Sequence, residues 1–192
     1  MPQDNTPASL GLGALIAEGY MAPRRSVARV LALRPDEGER LMMVGIGIAV
    51  SALGFALLGG QGEDVAAGAV AMGYLVTVLA GLFQYFILAR IIGFISRLAG
   101  GTGDPEDDRT IVAWWALVTA PLPVIMMASL RNPESPLAVL FLIGASILTM
   151  VLLAAYITQA HGFKSTARVC GAMICFLMIF SFVLTSLVPV PA

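Results

Sequence analysis

The chain has 192 residues, 58% of them hydrophobic and only 12% charged, with a mean hydropathy of +0.89. A soluble domain carries about twice that share of charge, and one soluble core could not cover so much apolar surface, so a water-soluble globular protein is excluded. The formal net charge of −1 says little, because the placement of the charges carries more information than their sum.

Residues 1–9 are polar, contain two prolines and are expected to form a disordered tail. They lack the basic stretch of a cleavable signal peptide. Within residues 10–22, Leu12, Leu15, Ile16 and Tyr20 recur at near-helical spacing over a stretch too short to span a membrane. Pro23 suits the first position of another helix. On that helix Val27, Val30 and Leu31 make one stripe, while Arg25 and Arg29 project from the other side. Residues 10–40 therefore read as a basic amphipathic segment lying on the inner leaflet, held by anionic lipid. In Pro35-Asp36-Glu37-Gly38-Glu39 a turn brings acids to the start of the next helix, where its dipole favours them.

The membrane domain is expected over residues 41–190. Its first span covers 41–58 and ends in an outer turn at 59–64. The second covers 65–88 and continues as a helix through 89–98, carrying Arg90 and Arg97. Gly100-Gly101-Thr102-Gly103 and the acidic residues after it break that helix. The third span, 111–130, is interrupted by Pro121 and Pro123. Residues 131–136 turn the chain into the fourth span at 137–157, and His161-Gly162-Phe163-Lys164 leads to the fifth at 167–187. The chain closes with Val188-Pro189-Val190-Pro191. The expected fold class is thus all-α, a polytopic membrane protein with five transmembrane helices behind an interfacial segment.

The basic residues sort by side. Arg24, Arg25, Arg29, Arg34 and Arg40 precede the first span, Arg90, Arg97 and Arg109 lie between the second and third, and Lys164 and Arg168 lie between the fourth and fifth. Arg131 alone falls in a loop of opposite parity. Short loops rich in Lys and Arg stay cytoplasmic during insertion. The expectation is a protein of the cell inner membrane with its N-terminus cytoplasmic and its C-terminus outside.

Few residues suggest chemistry. Gly100-Gly101-Thr102-Gly103 superficially resembles a phosphate cradle, but a P-loop ends in Gly-Lys-Ser/Thr, and here acids follow. It reads as a flexible inner loop. Asp104, Glu106 and Asp108 alternate like calcium ligands, yet the sixth and twelfth positions hold Arg109 and Trp115 instead of glycine and glutamate. A solvated acidic turn fits better, with Asp107 or Asp108 capping the third span. Trp114 and Trp115 read as headgroup-level anchors or as partner-binding aromatics. Pro121 and Pro123 each remove a backbone donor. They make either a packing kink or a broken helix lining a small cavity beside Gln84 and Tyr85.

His161 is the one histidine, and with neither acid nor cysteine beside it in sequence it reads as a loop residue. Cys170 and Cys175 point about 140° apart on a helix and cannot bridge each other. Gly73, Thr77 and Gly81 form a small-residue stripe, as do Gly47 with Ser51 and Gly171 with Cys175. Such stripes let helices approach closely, inside the bundle or between copies of the chain. No catalytic, cofactor or metal constellation is recognisable.

Three motifs carry a family resemblance. They are Ile95-Ser96-Arg97-Leu98-Ala99-Gly100-Gly101-Thr102-Gly103, Thr119-Ala120-Pro121 in the third span, and Gly162-Phe163-Lys164-Ser165-Thr166-Ala167 at the head of the fifth. Together with the topology, over residues 20–188, the chain resembles bacterial members of the Yip (Ypt-interacting protein) family. The resemblance implies a five-helix membrane domain without known catalytic activity. Eukaryotic relatives are associated with Rab-type GTPases through N-terminal cytosolic regions that have no match here, so that role is not carried over.

The leading expectation is a non-enzymatic membrane organiser or adaptor. Arg24, Arg25, Arg29, Trp114 and Trp115 would meet an anionic bilayer surface or a membrane or cytosolic protein partner. Self-association is the further option, and no nucleic acid or cofactor is expected. The alternative is a small transporter or lipid-handling protein, with Gln84, Tyr85, Pro121 and Pro123 around its cavity.

Overall fold

The computed structural model of the protein describes residues 11–59, 67–131 and 134–187. The tail at 1–9, most of the first outer turn, Asn132-Pro133 and the closing residues 188–191 lie outside the described residues. Eight helices follow in order: α1 (Leu12–Met21), α2 (Pro23–Leu33), α3 (Glu37–Gly59), α4 (Ala67–Leu98), α5 (Pro105–Thr119), α6 (Pro121–Leu130), α7 (Pro136–Ala160) and α8 (Thr166–Leu187). Among the described residues there is no strand.

Four of these helices, α3, α4, α7 and α8, are long and apolar enough to cross a membrane. The fifth candidate is the pair α5–α6, bent by 48°. The bend falls where Pro121 and Pro123 remove two amide donors. Ser51 on α3 donates its hydroxyl to the Ala120 carbonyl at 3.0 Å, so a neighbouring helix satisfies backbone at the break.

The starts of α3 and α5 are fixed by side-chain caps. At α3, Asp36 and Glu39 form a reciprocal capping box: each backbone N–H donates to the other's carboxylate, at 2.8 and 2.9 Å. At α5, Asp104 is the cap and Asp107 its capping-box partner, accepting from the Asp104 N–H at 3.3 Å. This corrects the expected assignment of the cap to Asp107 or Asp108, because the helix begins earlier, at Pro105.

Helix α5 is the hub, packed against α1, α2, α3, α4 and α7. Ile111, Val112, Ala113, Trp114, Leu117 and Val118 are all buried on it. The core gathers around this helix, together with Val44, Tyr85, Leu152 and Tyr156.

The basic amphipathic segment forms α1 and α2, packed against the bundle. Its apolar stripe is spent on protein: Val27 and Val30 are buried in the core, and α2 packs on α7 and α5. Ser26 donates its hydroxyl to the Leu15 carbonyl (3.1 Å) and accepts from the Trp114 indole N–H (3.2 Å). Tyr20 donates to the Val118 carbonyl, and burial raises its pKa, which keeps the donor proton in place. Trp114 is therefore a core residue, 1% exposed, and not an anchor at the membrane interface. Trp115 is half-buried and donates to the Thr149 carbonyl at 3.1 Å.

The small-residue stripes divide by location. A Cβ at Gly47 would lie 2.8 Å from the Ala116 carbonyl oxygen of α5, so glycine permits this backbone-to-side contact between α3 and α5. Gly81 faces Ile48 in a similarly close way, whereas Gly73 and Gly171 face open space. Gly47→Ala should therefore destabilise the detergent-solubilised protein by about 1–3 kcal/mol through overpacking. Gly171→Ala should change stability by no more than about 1 kcal/mol. Thermal unfolding of the two variants checks this, and equal losses would contradict the packing described.

Candidate functional site

Helix direction brings one set of ends together: the starts of α3, α5 and α8 and the ends of α4 and α7. All the basic residues except Arg131 belong to this end, which also holds the densest polar contacts.

The first cluster surrounds Glu37. Its carboxylate accepts from Arg109 (2.9 Å) and Arg40 (3.2 Å) through one oxygen, and from the Tyr85 hydroxyl (3.2 Å) through the other. Arg40 is 5% exposed. Its guanidinium also donates to Thr110 (3.0 Å) and lies 3.6 Å from Glu106. A buried cation is tolerable when several acceptors replace its lost water. This cluster ties α3, α4 and α5 together.

The second cluster is centred on Asp108, 2% exposed. Arg97 at the end of α4 donates to Oδ2 at 2.9 Å, and His161 Nε2 lies 2.8 Å from Oδ1. The other ring nitrogen, Nδ1, accepts from the Gly103 N–H at 3.1 Å. Since that bond needs a lone pair, Nε2 carries the proton and donates to Asp108. Both nitrogens are committed, so the imidazole has no free position for acid–base work.

The glycine-rich stretch acquires its meaning here. A Cβ at Gly101 or Gly103 would stand 2.8 Å from His161 Nδ1. Gly100 takes a positive φ of 85°, which favours glycine. The Gly101 N–H donates to the Ser96 carbonyl at 2.8 Å, and the Thr102 N–H to the His161 carbonyl at 3.3 Å. The loop is a fitted cradle for the imidazole, not a flexible connection. The acidic run is likewise not uniformly solvated, since Asp108 is its buried member.

The expected site residues separate. Arg24, Arg25 and Arg29 are exposed on α2. Arg29 lies 3.1 Å from Glu18, and Arg24 donates to Gln159 at 3.4 Å. Gln84, Tyr85 and Pro123 do line a common cavity of about 430 Å³ between α3, α4 and α5, together with Ser51, Thr77 and Thr119. Pro121 makes the bend but does not line it. Among the described residues no group of three His, Cys, Asp or Glu side chains is placed to hold a metal ion. Cys170 and Cys175 are both free thiols.

Sequence reasoning missed Asp108, His161, Glu37 and Arg40. The available signal was that the three arginines Arg40, Arg97 and Arg109 stand near three acids, Glu37, Glu106 and Asp108. The partner of His161 lies 53 positions away, beyond local pattern.

Removing either side of this pair strands a buried polar group. Asp108→Ala and His161→Ala should each cost about 1–3 kcal/mol. The double variant should cost less than the two combined, by a coupling of about 0.5–3 kcal/mol. A double-mutant cycle of unfolding in detergent measures this; strict additivity would refute the cluster.

A family model described as the Yip1 domain matches residues 19–187. No curated protein and no solved structure matches the chain.

Proposed function

The chain belongs to the Yip1-domain family, and from that premise we propose that this multi-pass membrane protein is a non-enzymatic organiser or adaptor. It sits in the cell inner membrane with its cation-rich end in the cytoplasm, where it docks a membrane or cytosolic protein partner. The observation that carries this reading is the double ion-pair clamp at that end. Glu37 and Asp108 hold four helix ends and the 99–104 loop in one arrangement, and beside them Arg24, Arg25, Lys164 and Arg168 stay exposed. A preordered surface loses little entropy on docking. The sidedness of the basic residues supports the cytoplasmic placement.

Reversing Arg24, Arg25 and Arg29 to Glu should reduce crosslinked partner recovery from cells at least fivefold. Exposed charges contribute about 0–1 kcal/mol each, so the bundle should still fold; Arg29→Glu costs most, because it opposes Glu18. In-cell crosslinking with mass spectrometry, alongside thermal unfolding, reads both. Undiminished recovery of the partner in a folded variant would sink the adaptor reading.

The cavity beside the bend favours a second reading, a small transporter. Its lining mixes Gln84, Ser51, Thr77 and Thr119 with apolar groups. On this reading, Pro121→Leu with Pro123→Leu straightens the helix and abolishes solute flux in reconstituted vesicles. Normal flux in that variant would eliminate it.

A further inference from the structure

A second concavity, of about 650 Å³, runs between α4, α7 and α8, within the range of about 300–1,000 Å³ typical of ligand pockets. It exists because α8 packs chiefly on α7, which leaves the opposite flank of α8 apart from α4. One wall follows α4 from Gln84 to Ala99, and the other follows α8 and its leading residues from Ser165 to Leu177. The α4 wall is about 22 Å long at the rise of a helix, more than half of the ~30 Å hydrocarbon core. Trp115, Leu153 and Ile157 close the inner side.

The lining is polarised. Its polar members Ser96, Lys164, Ser165 and Arg168 gather at the cation-rich end, and beyond them the walls are apolar apart from Gln84. No carboxylate lines the groove. Arg40, Arg97 and Arg109 are all paired with acids, but Lys164 and Arg168 have no ion-pair partner among the described residues. An occupant anionic at one end and apolar along the rest complements this lining. An apolar helix of another protein would leave the two cations unneutralised. A second copy of this chain would bring the same two cations with it.

We propose that this groove binds one anionic phospholipid, with its phosphate-bearing headgroup at Lys164 and Arg168 and an acyl chain lying against Trp115. The site shares Lys164 and Arg168 with the docking surface proposed above, but needs only that the protein be in a bilayer. A bound lipid would fill the gap between α4 and α8 and fix the pose of α8.

Trp115 is a built-in reporter. The full chain carrying Trp114→Phe is placed in lipid nanodiscs containing phosphatidylglycerol or phosphatidylcholine brominated on the acyl chains, and tryptophan quenching is recorded. Brominated phosphatidylglycerol should quench at roughly tenfold lower mole fraction or less, from the attraction of two cations for an anionic headgroup. Lys164→Gln with Arg168→Gln should erase that preference, and Ala172→Phe, which fills the groove, should weaken quenching by both lipids. Equal quenching by the two lipids, or a preference that survives in the Lys164/Arg168 variant, would overturn the proposal. If Trp114→Phe does not fold, native mass spectrometry of the unaltered protein makes the same comparison by counting retained lipid. A lipid-free dimer there would overturn the proposal in favour of a second copy.

Discussion

The burial of one carboxylate, Asp108, is the constraint on which the polar end of this molecule depends. An ion removed from water costs several kcal/mol unless its oxygens are paired. Both are: Arg97 meets one and His161 the other. Meeting that demand forces the end of α4 and the end of α7 to the first turn of α5. It also explains three glycines. At Gly93 a Cβ would collide with the Asp108 carboxylate, and at Gly101 and Gly103 it would press on His161. Glu37 imposes the same condition on α3, α4 and α5. The result is a level of the bundle at which four long helices are tied by charge-assisted hydrogen bonds.

Away from that level the packing loosens. Phe83 on α4, with Met178 and Phe182 on α8, is largely exposed. Lipid tails are as apolar as these side chains, so no hydrophobic force drives the outer helix surfaces together. Association there relies on close contacts such as that of Gly47 with Ala116. Where such contacts are missing, as between α4 and α8, a groove remains. The α1–α2 hairpin works the opposite way. It lies at the end where water competes, and it buries Val27, Val30 and the Trp114–Ser26 pair under the bundle. Its arginines stay outward, where water solvates their charge.

Much of the architecture was legible in the residues. Hydropathy located the spans, the prolines marked the bend in the third, Pro23 marked the start of α2, and the glycine motifs with the topology pointed to the Yip family. The candidate site was legible only in part. Gln84, Tyr85 and Pro123 do share a cavity, but Trp114 and the stripe of Val27 and Val30 face protein. The same amphipathic pattern serves a membrane surface or a neighbouring helix equally well, because either removes apolar groups from water.

What the sequence by itself determined was helix content, the number of candidate spans and the segregation of Lys and Arg to one end. Those properties follow from local composition and from the cost of carrying charge into or across an apolar layer. Only the tertiary structure decided that His161 meets Asp108, that Gly101 and Gly103 exist to admit the imidazole, and that Lys164 and Arg168 overlook an apolar groove. Such pairings join residues far apart in the chain. They depend on how helix ends come to lie side by side, which no local pattern records.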